Sequence, residues 1–126
     1  NTGYNPFTAE GKKTAAFEIW EWWMETHRNW HKKDNLLGDH PSLTIFVSVG
    51  DGNIISGIHK GFKDLLALGW IPNLPRIIGV QAEGSAAIAN AFNANTETIT
   101  PVSATTLADG LVGDMLERYL ELLYKV

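Results

Sequence analysis

Two short, β-branched apolar runs, 43–49 (LTIFVSV) and 76–81 (RIIGVQ), are separated by a single helical stretch, and this arrangement constrains the fold more than anything else in the chain. Apolar runs of that length read as buried strands. Between them, residues 54–69 carry Ile54, Ile58, Phe62, Leu65, Leu66 and Leu68 as a broad apolar face at helical spacing, with Gly69 where a helix would stop. Strands joined through a helix predict parallel pairing by a right-handed crossover. Two strands make a very small sheet, and a parallel sheet is stable when both faces are covered. An extra strand from the loop regions, or pairing with a second copy across the sheet edge, is therefore expected.

Helical patterning surrounds this unit. Residues 1–8 are rich in turn formers, and Thr8 is a candidate cap for a helix from about Ala9 to Lys33, with Gly11 weakening its first turn. Ala16, Trp20, Trp23, His27 and Trp30 recur on one face, with acids early and bases late to suit the helix dipole. Residues 34–42 read as a loop. Ser85 is a candidate cap for a short helix through about Phe92, and Thr105 or Thr106 for a last helix with Leu111, Met115, Leu116, Tyr119, Leu122 and Leu123 on its apolar side.

The chain has 126 residues, 44 % apolar and 19 % charged, which predicts a single globular domain over 1–126. A net charge of −4 and one short basic cluster, His27 to Lys33, argue against nucleic acid as a partner. The lack of cysteine excludes disulfides and thiolate chemistry and fits a reducing, cytoplasmic setting. No apolar run reaches the length of a membrane span, and no signal peptide is visible. The start at Asn1 rather than Met suggests a processed, trimmed or expression-derived piece.

Some constellations invite a chemical reading and keep a plainer one. His27 and His31 are spaced for a shared metal, with Asp39 and His40 as further ligands, yet no Glu follows His27 as in the zinc-protease helix. A partly buried and a solvated histidine is the favoured reading, with no metal site. The tryptophan stripe reads as core rather than as a ligand platform. Trp22 lies off the stripe and suits a partner or dimer contact. No serine has the context of a nucleophile elbow.

The strongest chemical feature is V-S-V-G-D-G-N-I-I-S-G at 47–57: a strand end, a Gly-rich turn and a helix start. Gly50 and Gly52 allow close backbone approach, and amides at the helix start converge on one spot, a geometry that binds phosphate. Asn53 adds a side-chain donor, whereas Asp51 opposes an anion unless it turns away. Spacing alone favours a plain βα turn, since neither a P-loop nor a full G-x-G-x-x-G is present.

F-V-S-V-G-D-G-N-I-I-S-G-I-x-K-G-F (46–62), P-R-I-I-G-V-Q-A-E-G-S-A-A-I (75–88), T-L-A-D-G (106–110) and N-P-F-x-x-E-G-K-K-T-A-A-F-E-I-W-E (5–21) together resemble the threonine synthases, of the fold-type II pyridoxal-phosphate family that includes the tryptophan synthase β subunit. The resemblance implies a small α/β layered domain, a Rossmann-like three-layer fragment with a short parallel sheet flanked by helices. It implies that Gly50, Asp51, Gly52 and Asn53 hold the cofactor phosphate, with Glu83 and Gly84 toward the cofactor ring. The family's reaction converts O-phosphohomoserine to threonine by phosphate elimination and water addition, with pyridoxal phosphate as electron sink.

Family members carry the cofactor-bonding lysine on a segment upstream of the matching region. Lys12, Lys13, Lys60 and Lys63 do not stand in that motif. The chain alone is therefore expected to bind phosphate or pyridoxal phosphate non-covalently and to have no catalytic residue. The alternative is a part of a threonine synthase that acts once a lysine-bearing segment is supplied. Residues 22–43 and 111–126 depart from the family pattern and are amphipathic, which suggests an engineered or chimeric fragment whose added helices cover exposed faces. A homodimer through the sheet edge or the Trp-rich helix is the expected assembly.

Overall fold

Parallel pairing of the two apolar runs organises the molecule. A computed structural model describes residues 5–27, 43–103 and 105–107. Within them, β1 (Thr44–Ser48) and β2 (Arg76–Val80) form a two-stranded parallel sheet in the register Ile45 to Ile77 and Val47 to Gly79. The fold is a small α/β unit, as the strand–helix–strand order requires.

The helix joining the strands, here α3 (Asn53–Ala67), follows α1 (Pro6–Lys12) and α2 (Thr14–Thr26) in the chain; α4 (Ala87–Asn93) comes after β2. Val47 and Val49 point to the buried face of the sheet, and Ile58, Phe62 and Leu65 come down on it from α3. Phe62, 1 % exposed, is the largest buried apolar side chain, worth about 2–3 kcal/mol in burial. Gly79 lets the first turn of α3 approach: a Cβ there would lie 3.1 Å from Val49 Cγ2 and 3.3 Å from Ile55 Cδ1.

α3 ends as the sequence predicts. Gly69 takes φ +72, its amide bonds Leu66 O, and the Trp70 amide bonds Leu65 O, a Schellman closure. α2 lies across α3 through Ala16, which is fully buried in the core. Lys13 pairs with Glu10 and with Asp64, both at 2.8 Å, and Lys60 pairs with Glu10, so α1 is tied to α3 at a part-exposed site.

Three local expectations are corrected. The first helical stretch is two helices that meet at Lys13, whose amide reaches back to Glu10 O and Gly11 O. Asn5, not Thr8, caps α1, its side chain accepting from the Phe7 amide. Ser85 sits in a 3-10 turn, Glu83–Ser85, and α4 begins at Ala87 without a cap from its own N-cap side chain. The helix expected to follow Thr105 or Thr106 lies outside the described residues, as do Lys33, the loop 34–42, Trp30, His31, Asp39 and His40.

The opposite face of the sheet carries Phe46, 69 % exposed, together with Val80, also exposed. Among the described residues α1 to α3 pack on one face only, so the third layer and the extra strand that a parallel sheet calls for are not found there. Trp22 is exposed, as its position off the apolar stripe predicts, while Trp20 packs against the core. Among the described residues no helix is long and apolar enough to cross a membrane.

Candidate functional site

The Gly50–Asn53 loop stands at the carboxyl end of β1, where a strand hands over to a helix N-terminus. The last sheet rung, Val49 N to Val80 O at 2.8 Å, fixes where the loop begins. Gly52 takes φ +81, ψ −3 and serves as the N-cap of α3. That left-handed conformation is strained for residues with a Cβ. Gly52 and Asn53 are both buried, with Asn53 6 % exposed.

Asp51 bends back over the loop, and its Oδ1 accepts from the Asn53 amide at 2.9 Å. The Ser56 amide closes the first helical bond to Gly52 O at 3.0 Å. Ser56 Oγ bonds Gly52 O at 2.9 Å and Asn53 O at 3.0 Å, which spends its proton locally. The amides of Ile54 and Ile55 lie in the first turn, where no intrahelical carbonyl is available to them. Two first-turn amides, a left-handed glycine and the positive end of a 15-residue helix suit a phosphate group. The Asp51 carboxylate is the single opposing charge in the loop. The four predicted residues form one continuous turn between β1 and α3, with the Asp51 carboxylate engaged by the Asn53 amide.

Glu83 and Gly84 follow β2 in a 3-10 turn clamped from behind. Thr105 N donates to Gly84 O at 3.0 Å, and a Cβ on Gly84 would lie 2.0 Å from Thr105 O. Gln81, at the end of β2, reaches both the loop and α4. Its Nε2 faces Gly50 O at 3.5 Å, and its Oε1 accepts from the Ala89 amide at 2.7 Å. Sequence reading assigned Gln81 no role; its place in the recognised G-V-Q-A-E-G segment, one residue past a strand, was the available signal.

The lysines lie elsewhere. Lys13 and Lys60 are engaged by Glu10 and Asp64. Lys60 is two helical turns along α3 from Asn53, roughly 10 Å at 1.5 Å per residue. A separate open cleft of about 740 Å³, lined by Phe17, Trp20, Met24 and Trp70 with Glu21 and Glu25, sits at the other end of α3, and among the described residues no basic side chain lines it. His27 Nδ1 is 2.9 Å from Trp23 O and its ring lies on Trp23, centroids 3.9 Å apart. Among the described residues no cluster of three metal-ligating side chains is present.

Comparison with known proteins identifies the family. Residues 1–124 match the family described as pyridoxal-phosphate dependent enzyme, and the chain belongs to that family. It is similar to the threonine synthase of Methanocaldococcus jannaschii, 38 % identical over 97 residues that make up 77 % of this chain and 20 % of that protein. The threonine synthase of Methanosarcina acetivorans is 36 % identical over 97 residues, again 77 % and 20 %. That of Mycobacterium tuberculosis is 37 % identical over 82 residues, 65 % of this chain and 19 % of that protein. The chain spans about a fifth of the length of these curated relatives.

Proposed function

We propose that this chain is the phosphate-holding piece of a threonine synthase-like scaffold, and that residues 1–126 by themselves bind pyridoxal phosphate through Gly50–Asn53 without catalysis. The observation that carries the proposal is the strand–Gly52–helix junction, where a left-handed glycine caps α3 and leaves first-turn amides available to an anion. In a complete enzyme the cofactor would act as an electron sink. This chain's contribution is to fix the phosphate, and so to orient whatever the phosphate carries. The relatives' name, threonine synthase, makes conversion of O-phosphohomoserine to threonine the proposed reaction of the whole protein.

The absence of catalysis rests on the lysines. Lys13 and Lys60 are ion-paired on the α1–α3 face, and neither belongs to the loop. The family match runs through 22–43 and on to residue 124, so a chimeric origin for the two departing segments gains no support from it. The cysteine-free composition supports a cytoplasmic location.

Calorimetric titration with pyridoxal phosphate and with pyridoxal tests the phosphate role. Binding of the first and none of the second is the expected result. Equal binding of both would remove the phosphate from the account. Borohydride treatment of the bound mixture, followed by peptide mass mapping, is expected to leave every lysine unmodified; a stable adduct mapped to a lysine would show that this side chain bonds the cofactor.

A further inference from the structure

The Gln81 side chain bonds both the candidate phosphate loop and α4. Its two contacts differ in polarity. An amide N–H, that of Ala89, approaches at 2.7 Å, and a carbonyl oxygen, that of Gly50, lies at 3.5 Å, the long end of hydrogen-bond range. The donor from Ala89 demands Oε1 on its side, and the carbonyl of Gly50 demands Nε2 on the other. A primary amide satisfies both at once at the reach of a Gln side chain; a carboxylate or a thioether, which has no donor, does not. The amide orientation is thereby fixed by its partners.

Each contact has a structural consequence. Ala89 is the third residue of α4, and the N-cap residue, Ala86, offers no side-chain acceptor. Gln81 Oε1 therefore does the capping of α4 from outside the helix. Gly50 begins the loop one residue after the last rung of the ladder, Val49 N to Val80 O. In the register that pairs Ser48 with Val80, Gln81 stands level with Val49, and its side chain reaches one residue further, to Gly50 O. Beyond Gly50 the loop is held by its own Asp51–Asn53 bond and by Ser56.

We propose that Gln81 is a positioning residue for the phosphate loop: it holds the Gly50 carbonyl so that the amides beyond Gly52 face the anion, and it couples the loop to the start of α4. The proposal rests on the phosphate-binding reading of Gly50–Asn53. Gln81 itself acts through Gly50 and is not placed in contact with the anion.

Two substitutions separate the roles. Gln81→Glu keeps an acceptor for the Ala89 amide and replaces the donor to Gly50 with a second oxygen. Gln81→Met removes both. Amide hydrogen exchange in the unliganded chain reads the loop without any ligand. In Gln81→Glu, exchange at Asp51, Gly52 and Asn53 is expected to speed up about fivefold, the share of one modest hydrogen bond, with Ala89 unchanged. In Gln81→Met both sites are expected to speed up. Loop exchange unchanged in both variants would overturn the proposal and leave Gln81 a cap for α4 alone. Titration with inorganic phosphate is then expected to show weaker binding in the uncharged Gln81→Met than in wild type. If wild type binds no phosphate while loop exchange responds as described, Gln81 still positions the loop, and the phosphate reading is what fails.

Discussion

The Asp51 carboxylate accepts the Asn53 amide at 2.9 Å, so the first amide of α3 is already satisfied by an anion that the loop itself supplies. An incoming phosphate competes with that carboxylate for the same positive helix end. Asp51→Asn keeps the acceptor oxygen and removes the charge. Because an Asn side-chain oxygen accepts the same bond from the Asn53 amide, the variant is expected to keep its thermal midpoint within a few degrees. Its affinity for inorganic phosphate at low salt is expected to rise about three- to tenfold, as removal of a neighbouring like charge implies. Unchanged or weaker binding would mean that the carboxylate does not compete for the site. Asp51→Ala loses the bond to the Asn53 amide as well and is expected to cost about 1 kcal/mol of stability.

Gly61 marks the tightest approach of α2 to α3. A Cβ there would lie 2.5 Å from the Lys13 carbonyl oxygen and 2.6 Å from Ala16 Cβ. Gly61→Ala gains up to about 1 kcal/mol of helix propensity and must separate two packed helices. Denaturant titration is expected to show a net loss of about 1–3 kcal/mol. Gly11 in α1 is the control, since a Cβ there meets nothing within 4 Å. Gly11→Ala is expected to stabilise by about 0.5–1 kcal/mol. A stable Gly61→Ala protein would show that α2 does not rest on α3 as described.

His59, half-buried on α3, has its pKa lowered from 6.5, first by burial and second by the charge of Lys63. The folded chain therefore binds this proton less readily than the unfolded chain. Stability from this group is intact above the unfolded value of 6.5 and falls as pH drops through it toward the lower folded value. His59→Gln removes the titration. Between about pH 7.5 and 5.5 the melting temperature of wild type is expected to fall more than that of the variant. Parallel curves would show that His59 is as easily protonated in the fold as outside it.

The strands and α3 were legible because each rests on local chemistry. The β-branched runs bounded by Gly50 and Pro75, the spacing of Ile58, Phe62 and Leu65, and the left-handed Gly69 each point to one structure. The break at Lys13 was not legible. No proline or loop signal stands at Lys13, and the Lys13–Asp64 contact that accompanies the break joins residues 51 positions apart. Capping failed for a related reason. Ser85 has the right chemistry beside α4, but the amide of Ala89 is taken by Gln81, brought there by β2. For the site, a Gly-rich turn is visible in any sequence. That Asp51 folds onto Asn53 depends on the φ of Gly52, and both were decided only in the assembled loop.

The central claim is that Gly50–Asn53 grips the cofactor's phosphate and that the chain alone goes no further. Amide shifts followed during titration with pyridoxal phosphate test it most directly. Saturable shifts concentrated at Gly50, Gly52, Asn53, Ile54 and Ile55, reversed by excess inorganic phosphate, are expected. Shifts centred instead on the Trp20–Trp70 cleft, or none at the loop at saturating cofactor, would contradict it.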